Sequence, residues 1–245
     1  MITRRALLSL LAPPPAACTV AIRVPDGAVL RCDDPVRARA EWAPPGSALK
    51  PLTWMNLPRR VPARCTTPFF VGSRRLDCTH VPILTKVDGE VALAASCNSW
   101  FAEMARNLDP RVFQHKLLQY GARARLATRV EDLQLQALGL EGVEFTVLGL
   151  AKAYLQVVAS PDPILRSGLE RAVTEGTGQL AALANLQVAG KTGTTSEGSW
   201  FAGFAPARQP KVIVVAHTRL GHGATDAAPA AREIFEWWQR SASSR

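Results

Sequence analysis

The sequence predicts an α+β fold, in which an antiparallel β-sheet built from both chain ends is covered by helices and carries an inserted all-helical subdomain. Three observations predict it. Two short β-prone runs, residues 18–24 and 28–32, lie near the start and are separated by the turn pair Asp26-Gly27. Residues 109–186 read as mostly helical, with turn signals near Gly121, Gly142 and Pro161. Three more β-prone runs, 186–195, 199–205 and 212–218, precede a final apolar-faced stretch at 227–240. Strands and helices that keep apart in sequence give this architecture rather than alternating βαβ units.

The composition suits such a domain. The 245 residues are 47% hydrophobic and 20% charged, enough to bury a core without disulfide support. A net charge of +9 favours anionic polymers or surfaces. There is no zinc-finger pattern, RNA-binding signature or long basic run, so nucleic acid is not an expected partner.

Taken in order, residues 1–17 read as a signal peptide. Arg4 and Arg5 give a positive start, 6–12 form a short apolar run, and Pro13-Pro14-Pro15-Ala16-Ala17 resembles a cleavage region. The run is too short to anchor in a bilayer. The arginine pair also suits twin-arginine export, and Cys18 stands where a lipid could be attached. Residues 18–245 then form one catalytic-sized unit, with neither an internal repeat nor a linker.

After the 18–32 hairpin, a proline-rich approach leads to Pro44-Pro45-Gly46-Ser47, and a helix runs to about Leu57 before Pro58. Residues 59–88 read as irregular. Leu93, Cys97, Phe101 and Met104 fall at helical spacing and predict one helix over 91–108, with Ser96 and Asn98 set off from its apolar stripe. Helices at 145–158 and 165–173 follow, and Ile234, Phe235, Trp237 and Trp238 give the last helix its apolar face. The five cysteines, at 18, 32, 65, 78 and 97, suit an oxidising compartment. Cys65 and Cys78 flank a Thr/Pro/Gly/Ser-rich stretch that closes as a disulfide loop or holds two separate thiols; sequence leaves both open. With no C-x-x-C pair and four dispersed histidines, no metal and no cofactor are expected.

The chemistry-bearing residues begin with Ser47. A serine hydroxyl needs a base, and Lys50, one helical turn on, faces the same side. The lysine serves only if desolvation or a second cation holds it neutral. Ser96 and Asn98 form an S-x-N pair near a helix start, and Lys191-Thr192-Gly193-Thr194 lies on an expected strand whose glycine permits close approach of a ligand. The ordered trio S-x-x-K, S-x-N, K-T-G is the signature of a serine acylation site.

With these motifs the sequence resembles the transpeptidase domain of the penicillin-binding proteins, of the serine D,D-peptidase family. The resemblance extends to ALAASCNSWF at 92–101, VTEGT at 173–177, VAGKTGT at 188–194, WFAGFAP at 200–206 and the closing stretch 223–238. It implies a serine β-lactamase/transpeptidase-like fold and a D,D-transpeptidase acting on peptidoglycan stem peptides ending in D-Ala-D-Ala. Ser47 would be the nucleophile, Lys50 its base, Ser96 a proton relay and Asn98 a partner for the substrate amide. Lys191 would supply positive potential, and Thr192 and Thr194 would bind the terminal carboxylate, or that of a β-lactam inhibitor. Gly193 would let the substrate approach the strand backbone closely, and the N–H groups of Ser47 and Thr194 would hold the oxyanion. The implied setting is the periplasm or cell envelope, with cell-wall synthesis proteins as partners and membrane association through an uncleaved leader or a lipid on Cys18.

Two departures bear on function. Multimodular relatives carry a further domain and a membrane helix, whereas here only a leader is expected ahead of the catalytic unit, and the cleft-walling stretch 57–91 looks short. The rival activity is hydrolysis, by a D,D-carboxypeptidase or a β-lactamase like the class D enzymes. Those usually carry a hydrophobic residue in place of Asn98 and a Tyr-Gly-Asn element, of which Tyr120-Gly121-Ala122 matches two residues. No carboxylate is evident to activate a deacylating water; Asp88, Glu90, Glu103 and Glu175 read as surface or helix-end charges. A third reading is a sensor that is acylated once without turnover.

Overall fold

Five antiparallel strands form the main sheet: β1 (Cys18–Arg23), β2 (Val29–Cys32), β3 (Ala189–Thr195), β4 (Gly198–Ala205) and β5 (Val212–Thr218). They pair in the order β2-β1-β5-β4-β3, so the two chain ends meet at β1 and β5, with Val20 opposite Val215. This is a computed structural model that describes residues 17–83 and 85–243; most of the expected leader, residues 1–16, lies outside the described residues.

Both faces of the sheet are covered, which explains why β5 reads as an unbroken apolar run. Alternate residues serve different cores. Val20, Ile22, Phe204, Ile213 and Val215 join the larger core on the helical side. Ala21, Phe201, Val212, Val214 and Ala216 pack with Ile234 and Phe235 of the last helix.

Nine α-helices are described: α1 (Pro35–Ala40), α2 (Lys50–Asn56), α3 (Gly89–Ala94), α4 (Asn98–Ala105), α5 (Pro110–Gln119), α6 (Val130–Ala137), α7 (Val147–Ala159), α8 (Pro163–Thr174) and α9 (Ala228–Ser243). Their starts follow local rules. Asp109 and Asp162 each accept two first-turn N–H groups, and each precedes a proline at a position that needs no donor. Thr146 caps α7, which buries Val147, Leu150, Ala151, Tyr154 and Val157 against the sheet. The α+β expectation is borne out: helices cover the sheet, and α5 to α8 fill the stretch between its two halves. That stretch also holds a two-stranded ribbon, Arg123–Ala124 with Val143–Glu144. Two further ribbons lie within the stretch read as irregular: Ala63–Arg64 with Lys86–Val87, and Phe69–Val71 with Arg74–Leu76.

The single helix expected over 91–108 is instead two, α3 and α4. Ser96 sits at φ 58°, in the left-handed region. The Ser96 N–H bonds to Leu93 O (3.3 Å) and the Cys97 N–H to Ala92 O (2.9 Å), the bond pair that ends a helix on a left-handed residue. Glycine usually takes this position; a serine there holds strained backbone. Among the described residues it is the only non-glycine with positive φ, and it belongs to the S-x-N motif.

Candidate active site

Ser47 opens the site. A 3-10 turn, Gly46–Leu49, carries it into α2, and the Lys50 N–H closes the turn on Ser47 O. Gly46 has φ +54°, and a Cβ there would lie 3.0 Å from the backbone N and O of Thr194. Gly193 makes the reciprocal approach, since a Cβ on it would stand 2.1 Å from Pro45 O. The K-T-G strand β3 and the Ser47 turn therefore pack backbone to backbone, which two glycines make room for. Trp200 Nε1–H to Pro44 O (2.9 Å) and Tyr154 O–H to Ala48 O (2.8 Å) hold the turn from behind.

Lys50 is fully buried and donates three hydrogen bonds: to Ser96 O (2.9 Å), Ser96 Oγ (3.1 Å) and Asn98 Oδ1 (2.6 Å). Its charge also lies over the Phe101 ring, 5.2 Å from the centroid. Asn98 is oriented from both ends, since its Nδ2 donates to Asp77 O (2.9 Å). Among the described residues, Ser47 Oγ has no hydrogen-bond partner. The lysine expected to reach back to it is instead saturated by the S-x-N motif, as an ammonium would be.

Lys191 is also fully buried, and its only hydrogen bond described is to Thr192 O, at 3.4 Å. Two buried amines share this site. Burial pushes Lys50 down to about 8, with the Cys97 and Cys78 thiols opposing the shift. Burial, with the repulsion of Lys50, pushes Lys191 well below the ordinary lysine range. Desolvation is thus the larger cause of low lysine basicity, and the second cation the smaller.

Strand alternation separates the remaining motif residues. Lys191 and Gly193 face the Ser47 turn, whereas Thr192 and Thr194 point the other way. Thr192 is buried and its Oγ1 lies 2.5 Å from Thr177 Oγ1. Thr194 is exposed and its Oγ1 accepts the Gly223 N–H (3.0 Å), leaving its hydroxyl hydrogen to donate. Thr177 and Gly223 belong to stretches that stand out in the sequence, 173–177 and 223–238, whereas the Asp77 carbonyl had no signal there.

The acids behave as helix-end and surface charges. Asp88 caps α3, while Glu90 and Glu175 pair with Arg171. No carboxylate is among the hydrogen-bond partners of Lys50. Tyr120 binds Asn56 Nδ2 (3.2 Å) at the far end of α2 from Lys50. Nor is the 65–78 pair a disulfide: all five cysteines are free thiols, and the Cys65 and Cys78 sulfurs are 3.6 Å apart.

This arrangement of sheet, turn and motifs has counterparts among known proteins. Residues 163–236 match the family model described as "Penicillin binding protein transpeptidase domain". The fold is similar to penicillin-binding protein A from M. tuberculosis, solved as an imipenem acyl-enzyme complex, with TM-score 0.73 and 19% identity over 91% of this chain and 74% of that one. It is similar as well to the apo transpeptidase domain of Burkholderia pseudomallei penicillin-binding protein 3, with TM-score 0.80 and 19% identity over 92% of this chain and 88% of that one. A chain of a peptidoglycan synthase complex coordinating polymerization and crosslinking matches with TM-score 0.75 at 20% identity, covering 89% of this chain and 55% of its own length. No curated protein sequence matches this chain. The resemblance seen in the motifs is thus borne out in both the family match and the fold.

Proposed function

We propose that this chain is a D,D-transpeptidase-like enzyme that works on peptidoglycan stem peptides through an acyl-enzyme on Ser47. The observation that carries the reading is the meeting of three motifs, far apart in sequence, around one buried amine: Lys50 bonded to Ser96 and Asn98, with the K-T-G strand flush against the Ser47 turn.

In this reading a neutral Lys50 takes the proton from Ser47 as Oγ attacks the penultimate D-Ala carbonyl carbon. The oxyanion sits between the Ser47 and Thr194 N–H groups; in comparable sites, losing one such donor costs about 3–4 kcal/mol. As the C–N bond breaks, the terminal D-Ala leaves as its amine, with Ser96 passing it a proton from Lys50. An acceptor amine then attacks the ester, forms the new amide and restores the Ser47 hydroxyl. Asn98, already held by Lys50 and Asp77 O, keeps the substrate amide in register. The Thr194 hydroxyl meets the substrate carboxylate, with Thr192 and Thr177 behind the strand. An arriving carboxylate favours charge on Lys191, which in turn favours the neutral form of Lys50.

Export follows from the substrate, which lies outside the cytoplasm. The 1–17 leader serves that role in this reading, with 18–245 as the catalytic unit. Among the described residues no helix is long and apolar enough to cross a membrane. β-Lactams are the expected inhibitors, as the imipenem complex of a structural neighbour suggests. Asn98, where a class D-like hydrolase would carry an apolar residue, favours transfer.

A fluorescent penicillin tests the reading. Stable labelling that disappears in Ser47→Ala is expected, and persistent labelling of that variant would refute it. Rapid loss of label would mark a β-lactamase. Consumption of a D-Ala-D-Ala peptide only when an acceptor amine is present marks transfer; equal consumption without it marks a carboxypeptidase, and none marks a sensor.

A further inference from the structure

Beside the S-x-N motif, Cys65, Cys78, His80 and Cys97 bring their ligand atoms within 4.8 Å of one another. Cys65 and Cys78 come from the wall preceding α3, His80 follows two residues on, and Cys97 is the middle residue of the motif and the N-cap of α4. Linear spacing concealed the group, because no two of these cysteines stand in a C-x-x-C pair and the ligands span 33 positions.

We propose that these four residues form a structural zinc site. Three of the six separations match the edges of a zinc tetrahedron, and all lie within 4.8 Å. Zinc bonds of about 2.3 Å to sulfur and about 2.0–2.1 Å to nitrogen imply edges of about 3.8 Å between sulfurs and about 3.6 Å from sulfur to nitrogen. The Cys65–Cys78 and Cys78–Cys97 sulfurs are 3.6 and 3.9 Å apart, and Cys65 Sγ lies 3.6 Å from His80 Nε2. A disulfide would need about 2.05 Å.

The surroundings also suit a metal. His80 Nδ1 lies 2.8 Å from Val81 O, so a proton on Nδ1 donates there and leaves the Nε2 lone pair facing the sulfurs. The Ser99 N–H points at Cys78 Sγ (3.4 Å), as backbone donors do toward a ligating thiolate. Cys78 and Cys97 are buried while Cys65 and His80 are partly exposed, giving an entry side. Three thiolates and one imidazole are a soft donor set that selects zinc over magnesium or calcium.

The metal would tie the cleft wall to the catalytic pair. Cys78 follows Asp77, whose carbonyl holds Asn98, and Cys97 separates Ser96 from Asn98. Cys97 is therefore a positioning residue: fixing its sulfur fixes the two groups that bond Lys50.

The full chain, purified under reducing conditions and equilibrated with Zn²⁺, is expected to retain one zinc per chain. Replacement by Co²⁺ should give the intense visible and near-ultraviolet absorption of a tetrahedral thiolate site. Cys65→Ser and His80→Ala should each lose the metal. Should those variants fail to fold, chelation of the unmodified protein serves instead, exposing three further thiols to a thiol reagent. Chelation should also slow penicillin acylation, on the order of 10²-fold for a misplacement near 1 Å, and zinc should restore it. A weak octahedral Co²⁺ spectrum with no retained zinc, or an unreduced Cys65–Cys78 crosslink found by mass spectrometry, would overturn the site. Zinc retention without any labelling of Ser47 would overturn the proposed function and leave the site standing.

Discussion

The two sides of the cleft are held by different kinds of contact. On the K-T-G side, β3 lies against the Ser47 turn with no side chain between Gly193 and Pro45 O, and the supports behind, Trp200 and Tyr154, bond to backbone carbonyls. On the S-x-N side nearly everything is side chain: Lys50 to Asn98, Asn98 to Asp77 O, Ser99 Oγ to the Thr66 N–H, and the group of three thiols and an imidazole. A backbone seam cannot absorb an added atom, whereas a side-chain network can lose a member and partly re-form. In the proposed reaction the first side fixes where Ser47 stands, and the second sets the protonation and pose of Lys50. Removing the proposed base should have the largest effect. Lys50→Ala is expected to lower the penicillin labelling rate by about 10²–10⁴-fold; near-normal acylation would mean another group takes the Ser47 proton.

Next in size is the seam. Gly193→Ala places a carbon 2.1 Å from Pro45 O, where backbone rather than a flexible side chain must move. A displacement of about 1 Å costs on the order of 10²-fold in acylation. Near-ultraviolet circular dichroism should stay close to the parent's, because the change is local. Labelling within a factor of two of the parent would mean the seam opens without cost.

A smaller effect comes from pH. Burial pushes Lys50 down to about 8 against the opposing Cys97 and Cys78 thiols, while the repulsion between the two lysines falls on Lys191. A base works when neutral, so acylation should rise with pH, about tenfold from 6 to 7, and level off above 8. The sign follows from a lysine whose basicity is depressed by burial. A rate that falls over this interval would reverse the roles, making the charged form of Lys50 the active one.

Much of this was legible in the sequence, for local reasons. Motifs of four residues carry their geometry in their spacing, as Ser47 and Lys50 do across one turn, and the two-sided burial of β5 shows as an unbroken Val/Ile run. The break at Ser96 was hidden because Leu93, Cys97, Phe101 and Met104 keep helical spacing straight through it. A left-handed serine has no sequence signal of its own, since the same role is ordinarily marked by glycine. The thiol and imidazole group was hidden for another reason: its members meet only after the 57–88 wall folds over α4. Thr192 is a third case. Its motif position suggested a ligand for substrate, while its place on the strand turns it toward Thr177.

The subtlest expectation concerns Ser96, where the two kinds of support coincide in one residue. Its hydroxyl meets Lys50 through a side chain, and its φ of 58° ends α3 through the backbone. Ser96→Ala and Ser96→Gly both delete the hydroxyl, so both should slow acylation to the same extent. They differ in backbone alone. Alanine keeps the steric cost of a left-handed conformation, about 1 kcal/mol or more, and glycine relieves it, less the unfolded-state entropy that glycine adds. The glycine variant should therefore be more stable than the alanine variant, by up to about 1 kcal/mol in urea unfolding. Equal stabilities would mean that the helix break carries no strain and that Ser96 is set by its hydrogen bonds alone. Unequal acylation rates would mean that the backbone at Ser96 also positions Asn98, joining the two kinds of support at the point where the base is held.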